Sequence, residues 1–155
     1  VVGRVGAWLL VRCMPRRAPR GRRARGDAVS TLLVGACPGP PVCAAVHTYL
    51  FVDGLDVIAR SDSRMAGLHP RRLLRPGGPL FPADMPRTVD LAAQEHPEPG
   101  PGRLAVRVRL RGEAVVWSGL TYPGLDGGPV EEVRFRPAQY LGEIARAYAA
   151  LKEVP

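Results

Sequence analysis

Lysine is almost missing from this chain. Lys152 stands alone against 21 arginines in 155 residues. Folding supplies no reason for that ratio, which has the look of codon bias in a GC-rich genome; such a bias would also raise Ala, Gly and Pro. Cysteine is scarce too. Cys13, Cys37 and Cys43 are too few, and odd in number, for a secreted disulfide framework, so a reducing cytoplasm is the expected setting. No apolar run approaches the roughly 20 residues that a membrane-spanning helix needs.

Chemical signatures are also lacking. The chain has no G-x-S-x-G, no H-E-x-x-H, no G-x-x-x-x-G-K-[ST], no G-x-G-x-x-G after a strand and no C-x-x-C. Cys37, Cys43 and His47 form a C-x5-C-x3-H spacing. A structural zinc site wants four ligands and a tighter first step, so these thiols read as idle, with no metal and no cofactor expected. The three histidines are dispersed, and His69 and His96 each precede a proline.

What the chain does have in quantity is glycine and proline, 18 and 17 residues. Short elements joined by many turns follow from that. The net charge of +8 and the pI of 10.4 describe one end. Residues 1–28 hold eight arginines and one acid, Asp27, while the rest of the chain is close to neutral. Like charges with little to bury imply a disordered basic tail, and a basic tail implies nucleic acid or an acidic membrane surface as a partner. Two other readings of the segment stand beside this one. Its Arg-rich, acid-poor character superficially fits a transit peptide. It also reads as upstream sequence that is not native, with Val29 as an equally good start. Residues 29–155 read as a single α+β domain.

The stretch Arg103 to Trp117 organises that domain. Leu104, Val106, Val108 and Leu110 alternate with Arg107, Arg109 and Arg111, the period-two mark of a half-buried strand. Gly112-Glu113 suits a type II′ turn, which puts Leu110 opposite Val115 and Val108 opposite Trp117. The arginine face reads most plainly as the solvated side of an antiparallel sheet. A sharper reading makes Arg107, Arg109 and Arg111 an anion-binding surface. Neither strand adds an aromatic there for base stacking.

Val46 to Arg60 reads as a second hairpin around Asp53-Gly54. Its two faces are both largely apolar, which places it near the sheet centre, covered on both sides. Residues 29–45 open with a short apolar run and break at Pro38, Pro40 and Pro41. Residues 61–87 read as a long loop pinned by Leu68, Leu73, Leu74, Leu80 and Phe81, with five prolines that exclude a long helix. In it Arg71, Arg72 and Arg75, beside His69, form a positive cluster and a second anion-binding candidate. Thr88 to Ala93 and Val130 to Arg136 are further strands. Pro137 opens the one good helix, with Tyr140, Leu141, Ile144, Tyr148 and Leu151 on its apolar stripe and Glu143 and Arg146 paired outward. The fold expected is therefore a mainly antiparallel sheet of two hairpins plus one or two further strands, packed by the C-terminal helix.

The segments HTYLFVDGLDVIAR, LLRPGGPLFPADMPR and FRPAQYLGEIARAY together resemble a group of uncharacterised small proteins of high-GC, actinomycete-type bacteria. The resemblance covers about Val46 to Tyr148. The group carries a Cys-rich turn where this chain has Pro97 to Gly102, and a Trp-containing continuation where it stops at Pro155. Those departures suggest a diverged, truncated or mis-framed member, and the resemblance implies no activity.

Three functions are expected from these residues. The first is a non-enzymatic binding or interaction module for a protein or small anionic ligand. The second is nucleic-acid binding through residues 1–28, which requires that they be native. The third is a small hydrolase or transferase near His47 and the 61–87 loop, with His47, Asp53, Asp56 and His69 as its candidates.

Overall fold

In the computed structural model, residues 28–38, 46–61, 65–95, 102–120 and 132–152 are described. Residues 1–27, which make up all but the last residue of the basic tail, Cys43, residues 96–101 and residues 121–131 lie outside the described residues. Among the described residues, nine strands and two helices make an α+β fold. In chain order they are β1 (Val29–Ser30), β2 (Leu32–Pro38), β3 (Val46–Val52), β4 (Leu55–Asp56) and β5 (Met65–Gly67), then α1 (Pro70–Leu73). After it come β6 (Arg87–Gln94), β7 (Arg103–Arg111), β8 (Ala114–Ser118), β9 (Val133–Phe135) and α2 (Pro137–Ala150). A six-stranded sheet runs β1-β9-β8-β7-β6-β5 and a three-stranded sheet runs β2-β3-β4.

The β7–β8 hairpin follows its hydrophobic pattern. Leu110 pairs with Val115 and Val108 with Trp117. Gly112 has φ 59°, a left-handed conformation that glycine adopts at little cost. Glu113 is not among the positive-φ residues, which fits type II′ rather than I′. Leu104, Val106, Val108, Val115 and Trp117 are buried. Trp117 meets Phe135 edge-on at 5.3 Å and Tyr140 at 6.1 Å. Its indole N–H donates to the Tyr140 hydroxyl at 3.1 Å, which donates in turn to the Leu80 carbonyl at 2.8 Å. Burial holds the Tyr140 proton well above the ordinary phenol range. One relay therefore ties hairpin, helix and the 74–81 turn around a core in which no polar atom of Trp117 or Tyr140 is stranded.

The two hairpins do not share a sheet, and the larger sheet is mixed. The apolar run after Val29 forms β1 and β2. β1 pairs in parallel with β9, Val29 opposite Arg134, and β2 lies antiparallel to β3. The second hairpin keeps its turn: Asp53 (φ 51°) and Gly54 (φ 80°) are both left-handed, as type I′ requires. Its second arm ends after two rungs, Val52–Leu55 and Phe51–Asp56. Leu50 still accepts the Val57 N–H at 2.8 Å. Coverage on both sides is not found. Thr48 and Leu50 are buried, while Tyr49 is 38% and Leu33 53% exposed on the other face. An apolar pattern on two faces records what a strand tolerates, not what covers it.

Between the sheets, β3 runs against β5. The Thr48 N–H and hydroxyl both donate to the Leu68 carbonyl, at 3.2 and 2.7 Å. Gly67 must be glycine, since a Cβ there would fall inside the Thr48 carbonyl. In the 61–87 segment Leu73, Leu74 and Leu80 are buried as expected, but Phe81 is 48% exposed. Ala83 reaches back to the hairpin by accepting the Leu110 N–H at 2.7 Å.

α2 packs its Tyr140, Ile144 and Ala147 side inward. Its expected solvent pair does something else. Glu143 and Arg146 meet at 2.6 Å, yet Glu143 also accepts the Val34 N–H at 2.8 Å and Arg146 donates to the Val34 carbonyl at 2.8 Å. One turn earlier Gln139 does the same for Leu32, accepting its N–H at 3.2 Å and donating to its carbonyl at 2.6 Å. Helix side chains thus stand in for a neighbouring strand along the outer edge of β2, and an edge so covered offers no ladder to another chain there.

Candidate functional site

The seam between the sheets holds a cavity of about 360 Å3, lined by His47, Asp56, Gly67 and Glu95 among others. His47 projects from β3 opposite Cys37. Its Nδ1 donates to the Gly67 carbonyl at 3.1 Å, and its Nε2 lies 3.4 Å from a Glu95 carboxylate oxygen. That second contact is close, but Nε2 makes no hydrogen bond among the described residues. Asp56 accepts the Ile58 and Ala59 N–H groups, each at 2.9 Å, an Asx turn that ends the hairpin. The buried Thr48 hydroxyl is committed to Leu68.

The remaining candidates lie elsewhere. Asp53 binds the Thr31 N–H at 2.8 Å and so fixes where β2 begins. His69 caps α1, its Nδ1 accepting the Arg71 N–H at 3.2 Å. Of the cluster on and after α1, Arg71 donates to the Leu151 carbonyl at 3.5 Å, near the negative end of α2. Arg72 and Arg75 are exposed. The structure therefore brings His47 and Asp56 to one cavity and leaves Asp53 and His69 outside it.

The arginine face of the larger sheet is more concentrated. Glu132, just before β9, receives Arg111 at 2.8 Å, Arg134 at 3.2 Å and Arg109 at 3.8 Å. Arg111 grips it with two nitrogens, the bidentate geometry that suits carboxylate and phosphate alike. Arg109 and Arg134 flank the buried Val116, one on each neighbouring strand, so their stems lie beside an apolar side chain. The Arg109 Nε is shut from water and has no hydrogen-bond partner among the described residues. Arg107 is exposed and has no ion pair among the described residues. Arg103 is neutralised by Asp90 at 2.8 Å.

Glu132 and Arg134 escaped the sequence reading. Alternation in β9 does send Arg134 to the face opposite Phe135. Only the β8–β9 register, Val116 opposite Arg134, puts it beside Arg109. Glu95 had no sequence signal at all. No helix among the described residues is long and apolar enough to cross a membrane. Comparison with family models, curated proteins and solved structures returned no match.

Proposed function

We propose that this protein is a non-enzymatic binding module, and that its working surface is the arginine face of the six-stranded sheet. The observation behind this is the imbalance there: three guanidinium groups share the carboxylate of Glu132, and Arg107 beside them has no ion pair among the described residues. Exposed ion pairs stabilise a fold by only about 0.2–1 kcal/mol each. Crowding cations around one acid therefore gains little for folding. An incoming anion would relieve the repulsion and occupy the idle donors. The partner that fits is an acidic protein segment. Among the described residues this face offers arginines, Thr88, Ser118 and small side chains, with Asp90 and Glu132 already paired to arginines, and lacks the aromatic platforms that single-stranded nucleic acid prefers. The proposal keeps the protein in the cytoplasm, where an exposed thiol such as Cys37 stays reduced.

The test is titration of an oligoglutamate peptide into the protein and an Arg107→Glu, Arg111→Glu variant, at low and physiological salt. The expected result is salt-sensitive binding that the variant loses. Equal binding by both proteins would overturn the proposal.

A second reading, a small hydrolase or transferase, draws on His47, Asp56 and Glu95 lining one cavity. With Thr48 engaged, its nucleophile would be water positioned by His47. Nucleic-acid binding through the tail rests on residues outside the described ones.

A further inference from the structure

Across the larger sheet from the arginine face, α2 and the 74–81 turn enclose an apolar cleft of about 240 Å3. Leu74, Leu80, Phe81 and Ile144 form its walls, with Arg75 and Tyr148 also lining it. The turn is firmly held. Arg75 accepts the Gly78 N–H at 2.9 Å and Gly78 accepts the Phe81 N–H at 3.0 Å. Arg87 donates to the Phe81 carbonyl at 2.8 Å, and Tyr140 anchors Leu80 at 2.8 Å. Gly77 has φ 64°, and a side chain at Gly78 would strike the Arg75 backbone. A wall fixed in advance spares a ligand much of the ordering cost.

Two cations lie near it. Arg75 is one of the lining residues, and the Lys152 ammonium sits 5.9 Å from the ring centroid of Tyr148, another of them. Among the described residues no carboxylate lines the cleft. Its volume exceeds the roughly 150 Å3 that admits benzene and falls below the roughly 300 Å3 at which drug-sized sites begin. Apolar walls, two cations close by and that size together describe the complement of one ligand class. We infer that this cleft binds a small carboxylate with an apolar body, such as a medium-chain fatty acid or an aryl carboxylate. The apolar part lies between Phe81 and Ile144, and the carboxylate meets Arg75. The inference stands apart from the arginine face of the sheet.

Octanoate, octanol and octylamine titrated into the full chain, followed by NMR shifts, test it. Octanoate is expected to saturate, with shifts centred on Leu80, Phe81 and Ile144, and to bind about tenfold tighter than octanol, with octylamine weakest. Ala145→Phe places a ring into the cleft from an exposed helix position and should abolish binding with the circular dichroism melt unchanged. Arg75→Gln should bring octanoate down to the level of octanol, while Arg107→Glu should change nothing. Octylamine binding as tightly as octanoate, undiminished binding by Ala145→Phe, loss of binding in Arg107→Glu, or no saturable shift with octanoate would each overturn the inference.

Discussion

The two hairpins are built by the same rule and end differently. Each turns on a glycine with positive φ, Gly112 in one and Gly54 in the other. The β7–β8 hairpin carries its ladder over five rungs, from Arg111–Ala114 to Arg107–Ser118. The β3–β4 hairpin stops after two, because Asp56 folds its carboxylate back onto the Ile58 and Ala59 amides. The turn sets the first rung, and the residues beyond it decide how far pairing runs. β7 has one apolar face and one arginine face, so it has one way to lie. β3 is apolar on both, and its neighbours choose which side is buried.

That contrast predicts unequal sensitivity. Trp117→Ala should cost about 3–5 kcal/mol, as large aromatic truncations in a packed core do. It removes the ring from between Phe135 and Tyr140 and leaves the Tyr140 hydroxyl without its donor. Phe51→Ala, at a half-buried position on the open face of β3, should cost clearly less. Urea melts of the two variants measure the gap. A Phe51→Ala loss equal to that of Trp117→Ala would mean that the outer face of the small sheet is packed as tightly as the core.

Gly67→Ala attacks the seam instead. The added methyl must displace the Thr48 carbonyl, an overpacking expected to cost about 1–3 kcal/mol. The damage should be local to the small sheet. Hydrogen exchange of the Val57 amide, which bonds to Leu50, should accelerate more than that of the Leu110 amide at the far end of β7. Equal acceleration at both would show that the sheets open as one unit.

How much of this was legible depended on whether the pattern had two distinct faces. Leu104 to Leu110 announced strand, face and register together, and the helix from Pro137 announced its stripe. The run after Val29 was seen as apolar but not as two strands. Nothing in VSTLLVGACP says that Val29 pairs in parallel with β9 while Leu32 crosses to β3. Its apolar side chain alone points Phe81 to the core, whereas the Gly78 carbonyl holds it in a turn where it stays 48% exposed. At the candidate surfaces, Arg107, Arg109 and Arg111 were readable from alternation alone. Glu132 and Arg134 were not, because their place beside Arg109 and Arg111 follows from strand order. His47 was singled out for its residue type, but its neighbour Glu95 is joined to it only by the way β6 ends near β3.

The smallest effect separates the capped edge of the small sheet from its open one. Glu143 is held below the usual carboxylate range, first by its hydrogen bond to Arg146 and further by the Val34 amide. A carboxyl group whose folded value is depressed stabilises the fold fully at pH values above its unfolded value, and that contribution disappears as pH falls through the folded value. Stability should therefore fall on acidification over the range that runs from the usual glutamate value of about 4.3 down through the depressed folded value, and part of that fall belongs to Glu143. Glu143→Gln keeps an oxygen for the Val34 N–H but loses the charge opposite Arg146. It should start lower at neutral pH by no more than about 1 kcal/mol, the range of a partly exposed pair, and its curve should meet that of the parent in acid. Thermal melts across that range check this. Parallel curves, offset by the same amount at every pH, would mean that the β2 edge is held by the shape of the Gln139–Glu143–Arg146 row and not by its charge.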